Sequence, residues 1–138
     1  MPHRLQIALS HHQAGQLAEA EQLYRKILAE QPNHPDALHL MGVLAQQAGA
    51  LPQAEALMRQ ALSIHPKLAP AHLNLGNVLR AQNRPQEAIA PLRRATKLDP
   101  TMADAQLSLG NAYRENQQPE KALNALRKAI KINPDLYE

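Results

Sequence analysis

The sequence predicts an all-α protein, an α-solenoid of four helix-turn-helix units and eight helices. Three observations carry this. The 138 residues align with themselves at a fixed offset of 34. Within each copy, apolar and small residues recur at i, i+3, i+4 and i+7, which places them along one face of a helix. Glycine or proline interrupts the pattern at the middle and the end of the copies, where one helix must stop and the next begin.

The repeats run 1–34, 35–68, 69–102 and 103–136 without an insertion, and residues 137–138 form a tail. We read 1–136 as a single domain. The eighth position holds Ala8, Gly42, Gly76 and Gly110; the twentieth holds Ala20, Ala54, Ala88 and Ala122. Proline closes each copy at Pro32, Pro66, Pro100 and Pro134. Proline lacks the amide donor and biases the preceding residue away from helix, so each second helix should end there.

In the first repeat, Gly15 marks the turn and Tyr24 supplies bulk to the second helix; its first helix is degenerate and reads as a terminal cap. In the second, Leu38, Met41, Gly42 and Ala45 share one helical face, Ala54, Met58 and Ala61 another, with the turn at Ala48–Pro52. In the third, the turn falls at Asn83–Pro85, and Pro91 lies inside the second helix, predicting a kink near Glu87–Pro91. In the fourth, the turn is Gln117–Pro119. Gly or Ala at the small positions lets two helix backbones approach, while Tyr24, Met58, Leu92 and Leu126 fill the space beside them. One repeat cannot bury that face alone, so neighbours must stack.

Composition narrows the function classes. The hydrophobic fraction is 44%, with no Phe or Trp and three Tyr, so the core must be built from Ala, Leu, Ile and Met. No cysteine is present, which removes thiolate catalysis and cysteine-based zinc sites. The seven histidines lack the i, i+4 pairing with a carboxylate that a metal site wants, so no metal and no cofactor is expected. No phosphate-cradling glycine loop or nucleophile–base–acid set appears, and we expect no enzyme activity. The paired carboxylates Glu19 and Glu21 read as a solvated outer face. The formal charge of +3 is spread along the chain. Basic residues Arg93, Arg94, Lys97, Arg127, Lys128 and Lys131 fall on second helices without interleaved aromatics for base stacking, which argues against nucleic acid. No stretch approaches the roughly 20 apolar residues of a membrane span, and the start lacks a secretory signal's apolar run, so a cytoplasmic location is the expectation.

The combined pattern resembles the tetratricopeptide repeat: Met41-Gly42, Leu75-Gly76 and Leu109-Gly110, large residues at Leu79 and Tyr113, Ala at the twentieth position, and proline near the end. The likeness covers residues 1–136. It departs where the family often carries Trp; here stand Arg4, Leu38, His72 and Gln106, and His72 reads as a packing substitute for the aromatic. The resemblance implies a right-handed superhelix whose first helices line a concave, peptide-binding groove.

Carried over residue by residue, that groove presents Leu5, Leu9, His12, His39, Leu40, Val43 and Gln46 in the first two repeats. In the last two it presents Leu73, Asn74, Asn77, Arg80, Leu107, Ser108, Asn111 and Arg114. The sharpest feature is Asn77-x-x-Arg80, which returns as Asn111-x-x-Arg114. Asn offers both donor and acceptor to a peptide backbone, and Arg offers a fork to carboxylate. A protein or peptide partner with an acidic group is therefore expected.

The family's chaperone-tail clamp is disfavoured, since His39, Val43, Asn74, Asp104 and Ser108 match it only at Asn74. The stretch NLGNVLRAQNRPQEAI is similar to bacterial repeats of the O-linked N-acetylglucosamine transferase type. That likeness makes an amino-terminal, substrate-presenting region of a larger glycosyl- or sulfotransferase the alternative to a free-standing interaction module. A further alternative is a self-assembling scaffold, joined end to end through Leu126, Ala129 and Ile130 on the last helix.

Overall fold

The computed structural model describes residues 2–137. Met1, the first residue of the first predicted repeat, and Glu138, the last of the predicted tail, lie outside them. The described residues form eight α-helices: α1 (Pro2–Gln13), α2 (Leu17–Glu30), α3 (Pro35–Gln47), α4 (Leu51–Ile64), α5 (Ala69–Ala81), α6 (Pro85–Leu98), α7 (Ala103–Glu115) and α8 (Pro119–Ile132). A short 3₁₀ turn follows at Pro134–Tyr137. The predicted helix-turn-helix plan is therefore correct in every repeat. No helix among the described residues is long and apolar enough to cross a membrane.

The even-numbered helices stop two residues before Pro32, Pro66, Pro100 and Pro134. At the helix–helix turn within each repeat, the chain enters the left-handed region at Gly15 (φ 81°), Gly49 (φ 80°), Asn83 (φ 61°) and Gln117 (φ 61°). Each turn closes with two backbone bonds of the Schellman type. In the first, Gly15 N–H donates to the His12 carbonyl at 3.1 Å and Gln16 N–H to that of His11 at 2.8 Å. In the last, Gln117 N–H donates to the Arg114 carbonyl at 3.0 Å and Gln118 N–H to that of Tyr113 at 2.8 Å. Glycine fits this backbone without strain; glutamine does not.

The chain separates into two compact units, Met1–Pro66 and Lys67–Glu138. In the first, α1 to α4 pack in sequence. Ala8, Ala20, Tyr24 and Leu44 form its buried cluster, with Leu5, Leu23, Leu40 and Met41 against it. Tyr24 is fully buried, and burial pushes its hydroxyl up to about 12. His34 caps α3, its Nδ1 accepting the Ala37 N–H at 3.1 Å, directly ahead of Pro35 in the first turn.

In the second unit, α5 packs on α6, α6 on α7 and α7 on α8, and α5 also touches α7. Leu79, Leu92, Ala88 and Ala95 are fully buried. Gly76 faces Leu92 so closely that a methyl group placed there would stand 2.5 Å from Leu92 Cδ2. Helix α6 runs Pro85–Leu98 through Pro91, and the burial of Ala88, Leu92 and Ala95 keeps helical spacing across it. The missing amide therefore costs the helix a hydrogen bond without ending it.

Candidate functional site

In the second unit, α5 carries Asn74, Asn77 and Arg80, and α7 carries Ser108, Asn111 and Arg114 one repeat later. Asn74, Asn77 and Asn111 are half-buried. The buried amide oxygen Oδ1 of Asn77 accepts no hydrogen bond, which normally costs about 1–3 kcal/mol. Ser108 is only 8% exposed, so it belongs to the floor of this face and offers little to a partner.

The two arginines, identical in sequence register, differ in state. Arg80 is clamped by Glu115: Nε donates to Oε1 at 2.8 Å and Nη2 to Oε2 at 3.1 Å. Its fork is already filled by a carboxylate of the same unit. Arg114 is exposed and forms no ion pair among the described residues. Of the two arginines expected to face a partner's carboxylate, Arg80 is already paired within the unit and Arg114 is not.

In the first unit, His39 is buried to 7% exposure, and loss of water pulls its imidazole below the ordinary histidine value, against the opposing pull of Asp36. Leu40 is half-buried and spends part of its surface on the Ala8, Ala20, Tyr24 and Leu44 cluster. Val43 is half-buried. His39 is thus packed into the fold, where burial disfavours its charged form.

His12 bridges two helices. Its Nε2 lies 2.8 Å from Gln47 Oε1 and its Nδ1 lies 2.9 Å from the Tyr24 hydroxyl. An amide oxygen can only accept, so in the neutral ring Nε2 donates to Gln47 and Nδ1 accepts from Tyr24. His11 Nδ1 donates to Gln16 Oε1 at 2.6 Å. These rings serve the fold.

Two of the side-chain links between repeats join residues 35 apart, His12 to Gln47 and Arg80 to Glu115, while Asn116 Nδ2 donates to Gln86 Oε1 across a separation of 30. Each of the first two therefore runs from the twelfth position of one repeat to the thirteenth of the next. Sequence reasoning missed this clasp. Complementary partners at that fixed separation are the signal that would have found it.

The surface proposed for self-association is also redrawn. Ala129 is fully buried, and half-buried Leu126 packs against Gly110, where an added methyl would stand 2.8 Å from Leu126 Cγ. Of the three residues expected there, Ile130 is exposed, at 42%, and Leu123 joins it at 48%.

Comparison with known proteins agrees with the architecture. The chain is similar to MamA at 28% identity and a TM-score of 0.85, covering 94% of this chain and 76% of that one. It is similar to YrrB, described as a TPR protein with an unusual peptide-binding site, at 25% identity and a TM-score of 0.81, covering 94% and 66%. It is similar to PilF of Pseudomonas aeruginosa at 26% identity and a TM-score of 0.89, covering 97% and 61%. The expected kinship with transferase-associated repeats finds no support among these relatives. No curated protein sequence matches the chain. Tetratricopeptide repeat profiles match residues 11–75 and 45–92, and a second such profile matches 73–137. With eight helices in four repeats, Schellman turns in register, and profile matches running nearly end to end, the chain belongs to the tetratricopeptide repeat family.

Proposed function

We propose that this chain is a non-enzymatic protein-interaction module that binds an extended peptide along α5 and α7. Asn74, Asn77 and Asn111 hold the peptide backbone, and Arg114 pairs with a carboxylate of the peptide. The observation that carries this is the unequal state of the two arginines: Glu115 holds Arg80 in place, and Arg114 stands open one repeat along the same register. The unsatisfied Asn77 amide oxygen supports it, because a small side-chain rotation would give that atom a peptide N–H to accept. The likeness to YrrB, whose description names a peptide-binding site, points the same way.

The test is selection of a displayed random peptide library on the full chain, followed by affinity measurement of the winners. Acidic peptides should be enriched, and Asn111→Ala with Arg114→Ala should weaken them by about 2 kcal/mol or more. Peptides that bind the double variant as tightly as the parent would refute the assignment.

A second reading is self-association, favoured by the exposure of Leu123 and Ile130 one above the other on α8. Sedimentation across a concentration series should then show dimers that Ile130→Glu disperses; a monomer at every concentration would reject it.

A further inference from the structure

A second concave site lies on another side of the same unit. Helices α6, α7 and α8 line an open concavity of about 480 Å³. It falls in the size range of small-molecule sites. On α7 it uses the face of Gln106, Leu109 and Tyr113, not the face of Asn111 and Arg114.

Four cationic side chains converge on it: Arg93 and Lys97 from α6, Lys121 and Lys128 from α8. No carboxylate lines it. Elsewhere in the chain arginines find acids readily, as in Arg4 with Glu30, Arg25 with Glu21, Arg59 with Glu55 and Arg84 with Glu87. None of the four cavity cations joins an ion pair among the described residues. Like charges gathered around a concavity repel one another and focus a positive potential into it, and an anion relieves both effects.

The lining mixes polar Thr96, Gln106 and Asn124, which can donate hydrogen bonds to an anion, with an apolar patch. Tyr113 is 9% exposed, beside buried Leu109 and Ala125, and the Lys121 ammonium stands 5.8 Å from its ring centroid. All four cations are exposed, so the site acts through their combined charge and is weakened by salt. Arg93 offers a fork that matches phosphate oxygens, and the three lysines are compact point charges on flexible stems that can each swing onto a further oxygen.

We propose that this cavity is a binding site for a compact polyphosphate anion, a small molecule carrying at least two linked phosphate groups, held by Arg93, Lys97, Lys121 and Lys128. The site is independent of the peptide-binding reading, since it uses other residues and another face of α7.

Inorganic pyrophosphate titrated into the full chain by calorimetry tests it. One site per chain is expected, with affinity falling by about tenfold or more in Lys97→Gln/Lys128→Gln. The control pair Arg94→Gln/Lys131→Gln, exposed residues of the same two helices outside the cavity, removes the same charge and should leave the affinity within about twofold. Circular dichroism confirms that both variants keep their helices. Equal weakening in the two variants would reduce the effect to net charge and overturn the proposal, as would no saturable binding by the parent chain. Binding of a single-stranded oligonucleotide or a hexaglutamate peptide that Lys97→Gln/Lys128→Gln abolishes and pyrophosphate fails to displace would also overturn it.

Discussion

Arg80 on α5 and Glu115 on α7 meet through two parallel hydrogen bonds, Nε to Oε1 at 2.8 Å and Nη2 to Oε2 at 3.1 Å, and so tie the first helices of successive repeats. His12 and Gln47 do the same in the other unit through one bond of 2.8 Å. A link at this position resists sliding of one repeat on the next, which the small Ala and Gly contacts in the core do little to prevent. It also leaves Arg80 engaged and Arg114, at the same register, exposed.

The Arg80–Glu115 pair should therefore contribute to stability, but modestly. Its side chains are 21% and 39% exposed, so water screens the attraction. A double-mutant cycle with Arg80→Ala and Glu115→Ala should give a coupling of about 0.5–1 kcal/mol, shrinking as salt is raised. Zero coupling at low salt would mean that the bidentate geometry does not persist in solution.

Gln117 occupies a backbone conformation that glycine fills at the matching turns Gly15 and Gly49. Left-handed geometry costs an ordinary residue about 1–2 kcal/mol, and glycine gives back part of that in chain entropy. Gln117→Gly should stabilise the protein by roughly 0.5–1 kcal/mol in urea unfolding. The reverse control is Gly49→Ala. Nothing lies within 4 Å of a methyl group placed there, so any loss reports backbone strain alone.

The repeat frame was legible because proline and small residues act locally. Pro32, Pro66, Pro100 and Pro134 stop helices by their own chemistry, and Gly42, Gly76 and Gly110 announce close helix contacts wherever the repeat places them. The left-handed turns at Asn83 and Gln117 were harder, since neither residue demands that geometry; the flanking Schellman bonds impose it. The candidate site was legible only in part. Asn77, Arg80, Asn111 and Arg114 were found by register, but register cannot tell a clamped arginine from a free one. His39 and Ser108 sit on predicted groove positions yet are buried, because packing depth depends on neighbours that periodicity does not specify. In sequence, Arg93, Lys97 and Lys128 fall on two different second helices, and only the packing of α7 against both places them around one concavity.

Gly76 and Gly110 hold equivalent positions but should respond unequally to alanine. At Gly76 the added methyl would stand 2.5 Å from Cδ2 of Leu92, which is fully buried and has no room to retreat. At Gly110 it would stand 2.8 Å from Cγ of Leu126, which is only half-buried. Gly76→Ala should destabilise by about 1–3 kcal/mol and Gly110→Ala by less. Adding Leu92→Ala to Gly76→Ala should cost less than the two changes summed, since the second relieves the clash created by the first. Full additivity would show that the crowding is absorbed elsewhere.

Pro91 offers the opposite kind of change. It sits half-buried inside α6 and supplies no amide hydrogen to the preceding turn. Pro91→Ala restores the donor and removes the ring, at the expense of a little apolar burial. The gain should be about 2 kcal/mol. Thermal unfolding checks it, and an unchanged midpoint would mean that the surrounding helices have already adapted to the ring.

His39 should give the protein a specific acid sensitivity. Burial lowers its pKa beneath the ordinary value near 6.5, so the folded state binds a proton less readily than the unfolded one. Where the unfolded state holds more protons, stability rises with pH. The stabilisation of the neutral ring is thus complete above about pH 6.5 and is lost as the pH falls from there through the folded value. Asp36 opposes the shift by favouring the charged ring and narrows the window. Urea unfolding at pH 7.5 and 5.5 should show a drop in the parent chain that His39→Gln makes smaller, since the amide does not titrate. An identical drop in the variant would assign the acid sensitivity to other groups.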